Sequence, residues 1–174
     1  MERLGFIHDK LDIKILILFI LQRFPRVLDS DLLTQIILKS DDGIDYFDYI
    51  ACLTELTESG HITESSEGYA ITEKGTRNVT EIESSLPFTV RANAMAALSP
   101  IVSAMKRDSL IKSSVDRDND GSLHLNLSLS DGLGDILSLR LVVSAPEQAA
   151  KIEERFRKNA ETHYQKIMDI LLTD

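Results

Sequence analysis

Between Ser40 and Glu73 the sequence contains no lysine and no arginine. The same stretch holds Asp41, Asp42, Asp45, Asp48, Glu55, Glu58, Glu64, Glu67 and Glu73. The chain has 19 basic and 28 acidic residues, a formal net charge of −9, so this one segment carries the whole excess and the remainder is neutral overall. A surface that approaches nucleic acid draws most of its non-specific affinity from lysine and arginine contacts to phosphate. Here that supply is missing.

Other absences narrow the field further. With a single cysteine, Cys52, no internal disulfide is possible and nothing points to an oxidising compartment. Cys52 falls within a helical pattern and reads as a buried thiol. There is no tryptophan, and the longest apolar run, Ile15 to Leu21, is far short of the roughly 20 residues of a membrane span. Asp9 and Asp12 before that run and Gln22-Arg23-Phe24-Pro25 after it do not suit a signal peptide. A cytoplasmic protein without membrane association is expected. The sequence has no Gly-x-Ser-x-Gly elbow, no phosphate-cradling Gly-Lys-Ser/Thr loop and no close His/Cys set for zinc. His8, His61, His124 and His163 are scattered. The expectation is therefore a non-enzymatic protein with no cofactor and no metal.

What is present describes a globular α+β chain. Its 174 residues, 43% hydrophobic and 27% charged, suffice for two small cores, and a change of pattern after Pro87 predicts domains at 1–87 and 88–174. In the first, a helix is predicted from about Asp9 to Arg23, apolar on nearly every side, and Pro25 ends it. A second, capped by Asp29 or Ser30, runs to Lys39 with Leu32, Leu33, Ile36 and Ile37 at helical spacing. A third spans Ile44 to Ser59, with Gly60 as the stop. Tyr46, Tyr49, Ile50, Leu53 and Leu56 are expected on its core face, and Asp48, Ala51, Cys52 and Glu55 on the opposite one. His61–Thr63 and Tyr69–Ile71 form a hairpin, and Thr72 caps a fourth helix to about Ser85.

Three helices, a short hairpin and a helix is the order of a winged helix, a helix-turn-helix variant. The segments FIHDKLDIKILILFIL (Phe6 to Leu21), DDGIDYFDYIACLTELTESGHI (Asp41 to Ile62) and GYAITEKGT (Gly68 to Thr76) resemble the bacterial domain of unknown function family number 4364. The last also resembles the wing-to-helix passage of winged-helix regulators. The resemblance covers nearly the whole chain and implies a winged-helix amino-terminal half in a cytoplasmic bacterial protein. It brings no established activity and no functional residues.

In the second half, Phe88 to Ser99 reads as a helix, with Ser99-Pro100 opening a new helical turn to about Leu110; a single helix kinked at Pro100 is the alternative. Leu123, Leu125, Leu127 and Leu129 alternate with polar residues, and Leu137, Leu139, Leu141 and Val143 repeat the pattern after a Gly-rich turn. With Ile111–Val115 they predict an antiparallel meander, covered by a long last helix that a Ser144/Glu147 capping box would start. That helix carries Lys151, Arg155, Arg157 and Lys158, but acid-first pairs four apart (Glu147–Lys151, Glu153–Arg157, Glu154–Lys158) make a salt-bridged solvent face. Asp116-Arg117-Asp118-Asn119-Asp120-Gly121 matches only the first half of a calcium loop. The position that should be a bidentate glutamate is Leu127, so a solvated hairpin turn is expected.

Two functions follow. One is a transcription-regulator-like protein binding duplex DNA as a homodimer, touching phosphates through Lys39, Lys74 and Arg77. The other is a winged helix that binds a protein partner through Asp48, Ala51, Cys52 and Glu55, because a groove-reading helix should not be acidic. A carboxylate about 7 Å from a phosphate costs on the order of 0.5 kcal/mol even in water. The all-round apolar first helix predicts a homodimer interface at Ile13, Ile17 and Ile20.

Overall fold

The computed structural model describes residue 7 and residues 9–173. Phe6 and His8, which figure in the sequence reading, lie outside the described residues. The chain divides into two compact units, one reaching Val102 and one beginning at Ser103.

In the first unit, α1 (Lys10–Arg23), α2 (Ser30–Ser40) and α3 (Tyr46–Glu58) precede a hairpin of β1 (Ile62–Ser65) and β2 (Gly68–Ile71) and then α4 (Glu73–Ile82). This order is compatible with a winged helix. Each helix starts where a short polar side chain can satisfy free amides. Asp9 accepts from the Asp12 amide, Asp29 from Asp31 and Leu32, Asp45 from Phe47 and Asp48, and Thr72 from Gly75. Asp41 is buried and does something else. Its carboxylate accepts from the amides of Ile7 and Gly43, at 2.8 and 2.7 Å, and so ties the start of the chain to the α2–α3 turn.

The hairpin is tied back to the helices by an isolated bridge between Leu28 and Tyr69. Gly68 makes it possible: its φ is +129°, and a Cβ there would sit 2.0 Å from the Leu28 carbonyl oxygen. Helix α1 is the centre of the unit. Ile13 and every residue from Ile15 to Leu21 are buried within this one chain, in a unit where α2, α3, α4 and β2 all pack on α1. Ile13, Ile17 and Ile20 therefore do not offer the dimer surface expected of them. A core covering only one side of α1 would leave an apolar face for a second chain, whereas here α2, α3, α4 and β2 all pack on it.

The helix α5 (Phe88–Ser109) is continuous through Pro100, the alternative rather than the preferred reading. Its first turns bury Val90, Ala94 and Leu98, and Asn93 donates to the Ser40 carbonyl at 3.1 Å. The first compact unit thus extends to Val102, not to the expected boundary at 87.

The second unit is a three-stranded antiparallel sheet, β3 (Ile111–Arg117), β4 (Leu123–Ser130) and β5 (Asp135–Val143) in that spatial order, with α6 (Pro146–Leu172). Ile111, Leu125, Leu127, Leu129 and Val143 form its core with Ala149, Phe156 and Ala160 of α6. The expected capping box does not form. Ala145 is the cap, Pro146 takes the first turn, and the Gln148 side chain accepts from both the amide and the hydroxyl of Ser144. The hairpin turn between β3 and β4 engages its carboxylates locally: Asp118 pairs with Arg140 at 2.9 Å, and Asp120 accepts from the Ser122 amide. Among the described residues no group of three or more His, Cys, Asp or Glu side chains is placed to hold a metal ion. No described helix is long and apolar enough to cross a membrane.

Candidate functional site

The helix that would read a DNA groove in a winged helix is α3, and its rotation about its own axis differs from the sequence reading. Cys52 is fully buried, with its thiol donating to the Lys10 carbonyl at 3.4 Å. Asp48 pairs with Lys10 at 3.1 Å, and Glu55 pairs with Lys14. The Asp48–Cys52–Glu55 side thus lies toward α1, with Cys52 buried, Ala51 half-buried and both carboxylates about half exposed. Burial pushes the Cys52 thiol up, the hydrogen bond from Lys14 holds the Glu55 carboxyl below its usual value, and the bond to Asp48 raises Lys10. Both lysines lie some forty residues upstream of their partners, outside the acidic segment, so charge counted along the segment does not include them.

What α3 turns outward is apolar and aromatic. Phe47 is 79% exposed, Tyr46 50% and Ile50 39%, with Thr54 and Glu58 beyond them. The Tyr46 ring packs edge-on against Phe47 and tilted against Tyr49. Tyr49 anchors the face from below: it is buried, 3.2 Å from the Thr34 hydroxyl, and burial pushes its phenol up to about 12. Helical spacing explains the arrangement. Residues 46, 47, 50 and 54 share one side at 100° per residue, while 49, 52, 53 and 56 fill the core. Tyr46 and Ile50 had been expected inside because an amphipathic reading sends apolar residues to the core, but Tyr49, Cys52, Leu53 and Leu56 already occupy it.

The adjacent hairpin adds no positive charge. Its residues Thr63, Glu64, Ser65, Ser66 and Glu67 are exposed. Glu64 accepts from the Tyr69 hydroxyl at 3.2 Å. The three basic residues proposed for phosphate contact sit on α2 and α4, and one of them, Lys74, reaches the end of α3. Lys39 is exposed at the end of α2, and Lys74 and Arg77 are three apart on α4. Lys74 donates to the Ser59 carbonyl at 2.7 Å, and so caps the end of α3.

In the same unit, a groove of about 600 Å³ has an apolar floor of Leu11, Ile15, Leu18 and Ile82 and a rim that includes His61, Asn78 and, from α3, Glu55 and Glu58. The His61 ring is held from both ends, by Ser59 Oγ at 2.8 Å on Nδ1 and by the Asn78 amide nitrogen at 2.8 Å on Nε2. Ser59 donates its own proton to the Glu55 carbonyl, so Nδ1 carries the hydrogen and Nε2 accepts. Burial, with Lys74 and Lys14 nearby, lowers the pKa of His61. With both nitrogens engaged, the ring is a structural link between the end of α3 and α4, not a free base.

No curated protein and no solved structure matches the chain. A family model, Domain of unknown function (DUF4364), matches residues 13–171, and the chain belongs to that family.

Proposed function

We propose that the first unit is a non-enzymatic winged helix that binds protein rather than DNA, through the outer face of α3. The observation that carries this reading is the exposure of Phe47, Tyr46 and Ile50 side by side on that helix, with no lysine or arginine anywhere from Ser40 to Glu73. Exposed aromatic anchors ringed by polar groups are the composition of protein-binding hot spots. Asp42 and Asp45 are exposed just before the anchors in the chain and Glu58 is exposed at the far end of α3, so the fitting partner segment is one with apolar side chains flanked by lysine or arginine. A regulator-type DNA binder is the competing reading. Exposed Arg77 on α4 and Lys39 on α2 favour it, but an acidic wing and an α3 outer face without a basic residue oppose it.

Two measurements on the full chain separate them. A fluorescence titration against generic duplex DNA near 50 mM salt should show no binding; a salt-sensitive complex with a slope of about −0.9 per phosphate would establish the DNA reading instead. A photo-crosslinking residue in place of Phe47 should capture a discrete protein from an extract of the source organism, and the same residue at exposed Leu133 should not. Equal labelling at both positions overturns the proposal.

A further inference from the structure

The second unit carries an open strand edge whose own sequence fits a second copy of itself. Strand β5 is at the border of the sheet and pairs only with β4. Its register with β4 is irregular between Leu129 and Ser130, which leaves Leu137–Val143 as a regular stretch. Edge strands in soluble proteins are usually blunted by proline, lysine or a covering element. This stretch has neither residue, and its one charged side chain, Arg140, is drawn across the outer face of the sheet to Asp118, at 2.9 and 3.1 Å, which leaves the edge clear. On the helix side of the sheet, β5 is under-covered. Leu137 and Leu139 are half-buried and Leu141 is 36% exposed, whereas Leu125 and Leu127 of β4 are buried. Beside β5 lies an apolar groove of about 300 Å³ lined by Leu139, Leu141, Ile152, Phe156 and Ile167.

We infer that two copies pair β5 to β5, antiparallel about a two-fold axis at Leu139, to make one continuous six-stranded sheet. Leu139 is the midpoint of β5, so this register pairs the whole strand. It sets Leu139 opposite Leu139 of the second copy, Leu137 opposite Leu141, Ser138 opposite Arg140 and Asp135 opposite Val143, so the three helix-side leucines meet leucines and no like charges meet. Moving the axis by one residue to Arg140 would oppose two guanidinium groups, which is destabilising in directly facing pairs. Isologous pairing closes on itself and uses up the free edge, which a heterologous contact would propagate. This surface belongs to the second unit and is independent of the α3 reading above.

The test is the mass of the full chain in solution across micromolar concentrations, by light scattering. It should approach twice 19.5 kDa at the upper end. Ser138→Arg places a guanidinium against Arg140 twice per dimer and should weaken association at least about tenfold, whereas Ser138→Glu should not weaken it. Ser138 is exposed, so both variants should retain the wild-type circular dichroism. A monomer at every concentration overturns the inference. So does a dimer that Ser138→Arg leaves unchanged, because that dimer would use another surface.

Discussion

His61 shows how a single residue couples the fold to pH. Its folded pKa lies below the ordinary 6.5, so the unfolded chain binds the proton first. Above about pH 6.5 both states are neutral and the group has no effect on stability. As pH falls below that value stability declines, until the folded pKa is also passed and the contribution becomes constant. Urea midpoints should therefore drop as pH falls below about 7, and His61→Gln should flatten that slope. Glu55 acts lower: its folded pKa lies below 4.5, so its contribution is lost only at more acid pH. Gly68 is a second sensitive position. Gly68→Ala puts a Cβ against the Leu28 carbonyl at positive φ, and urea denaturation should register a loss of roughly 2 to 4 kcal/mol.

At the scale of one element, α3 has an acidic side paired to α1 and an aromatic side open to solvent, and the two have different consequences. Asp48→Asn with Glu55→Gln removes the partners of Lys10 and Lys14, pairs that are largely solvated. The urea midpoint should barely move. Two freed lysines would also raise the local positive charge, so the double variant is the most favourable case for DNA. Continued absence of binding near 50 mM salt would show that the carboxylates are not what prevents it. Phe47→Ser acts the other way. The residue is 79% exposed, so stability should hold, while crosslinking from a probe placed at Ile50 should be lost.

For the whole molecule, the position of the unit boundary is open to direct measurement. A fragment ending at Val102 keeps Val90, Ala94 and Leu98 buried, and one ending at Pro87 loses all three. Burying Val90 and Leu98 alone is worth roughly 3 to 6 kcal/mol. The longer fragment should unfold cooperatively in urea, and the shorter one should be less stable by about that amount or fail to fold. Equal stability of the two would place the boundary back at 87.

Much of the architecture is written locally. Asp9, Asp29, Asp45 and Thr72 mark helix starts because capping needs only a short polar side chain and the next few amides. The Leu alternation of β4 and β5 marks a one-sided sheet because strand side chains alternate with a period of two. The order of helices and hairpin follows from these signals, as does the resemblance to the family. The candidate site was legible only as a segment. Periodicity placed Asp48 and Glu55 opposite Leu53, but it could not say that Lys10 and Lys14 would meet them, because that depends on how α1 crosses α3. Nor could it say that Phe47 and Tyr46 would stay outside, because that depends on the core being filled by Tyr49, Cys52, Leu53 and Leu56. Whether an all-apolar helix such as α1 needs a second chain is likewise not a local property. The number of neighbours a helix acquires is set by the packing of the whole unit, and here that packing buries Ile13, Ile17 and Ile20 within a single chain.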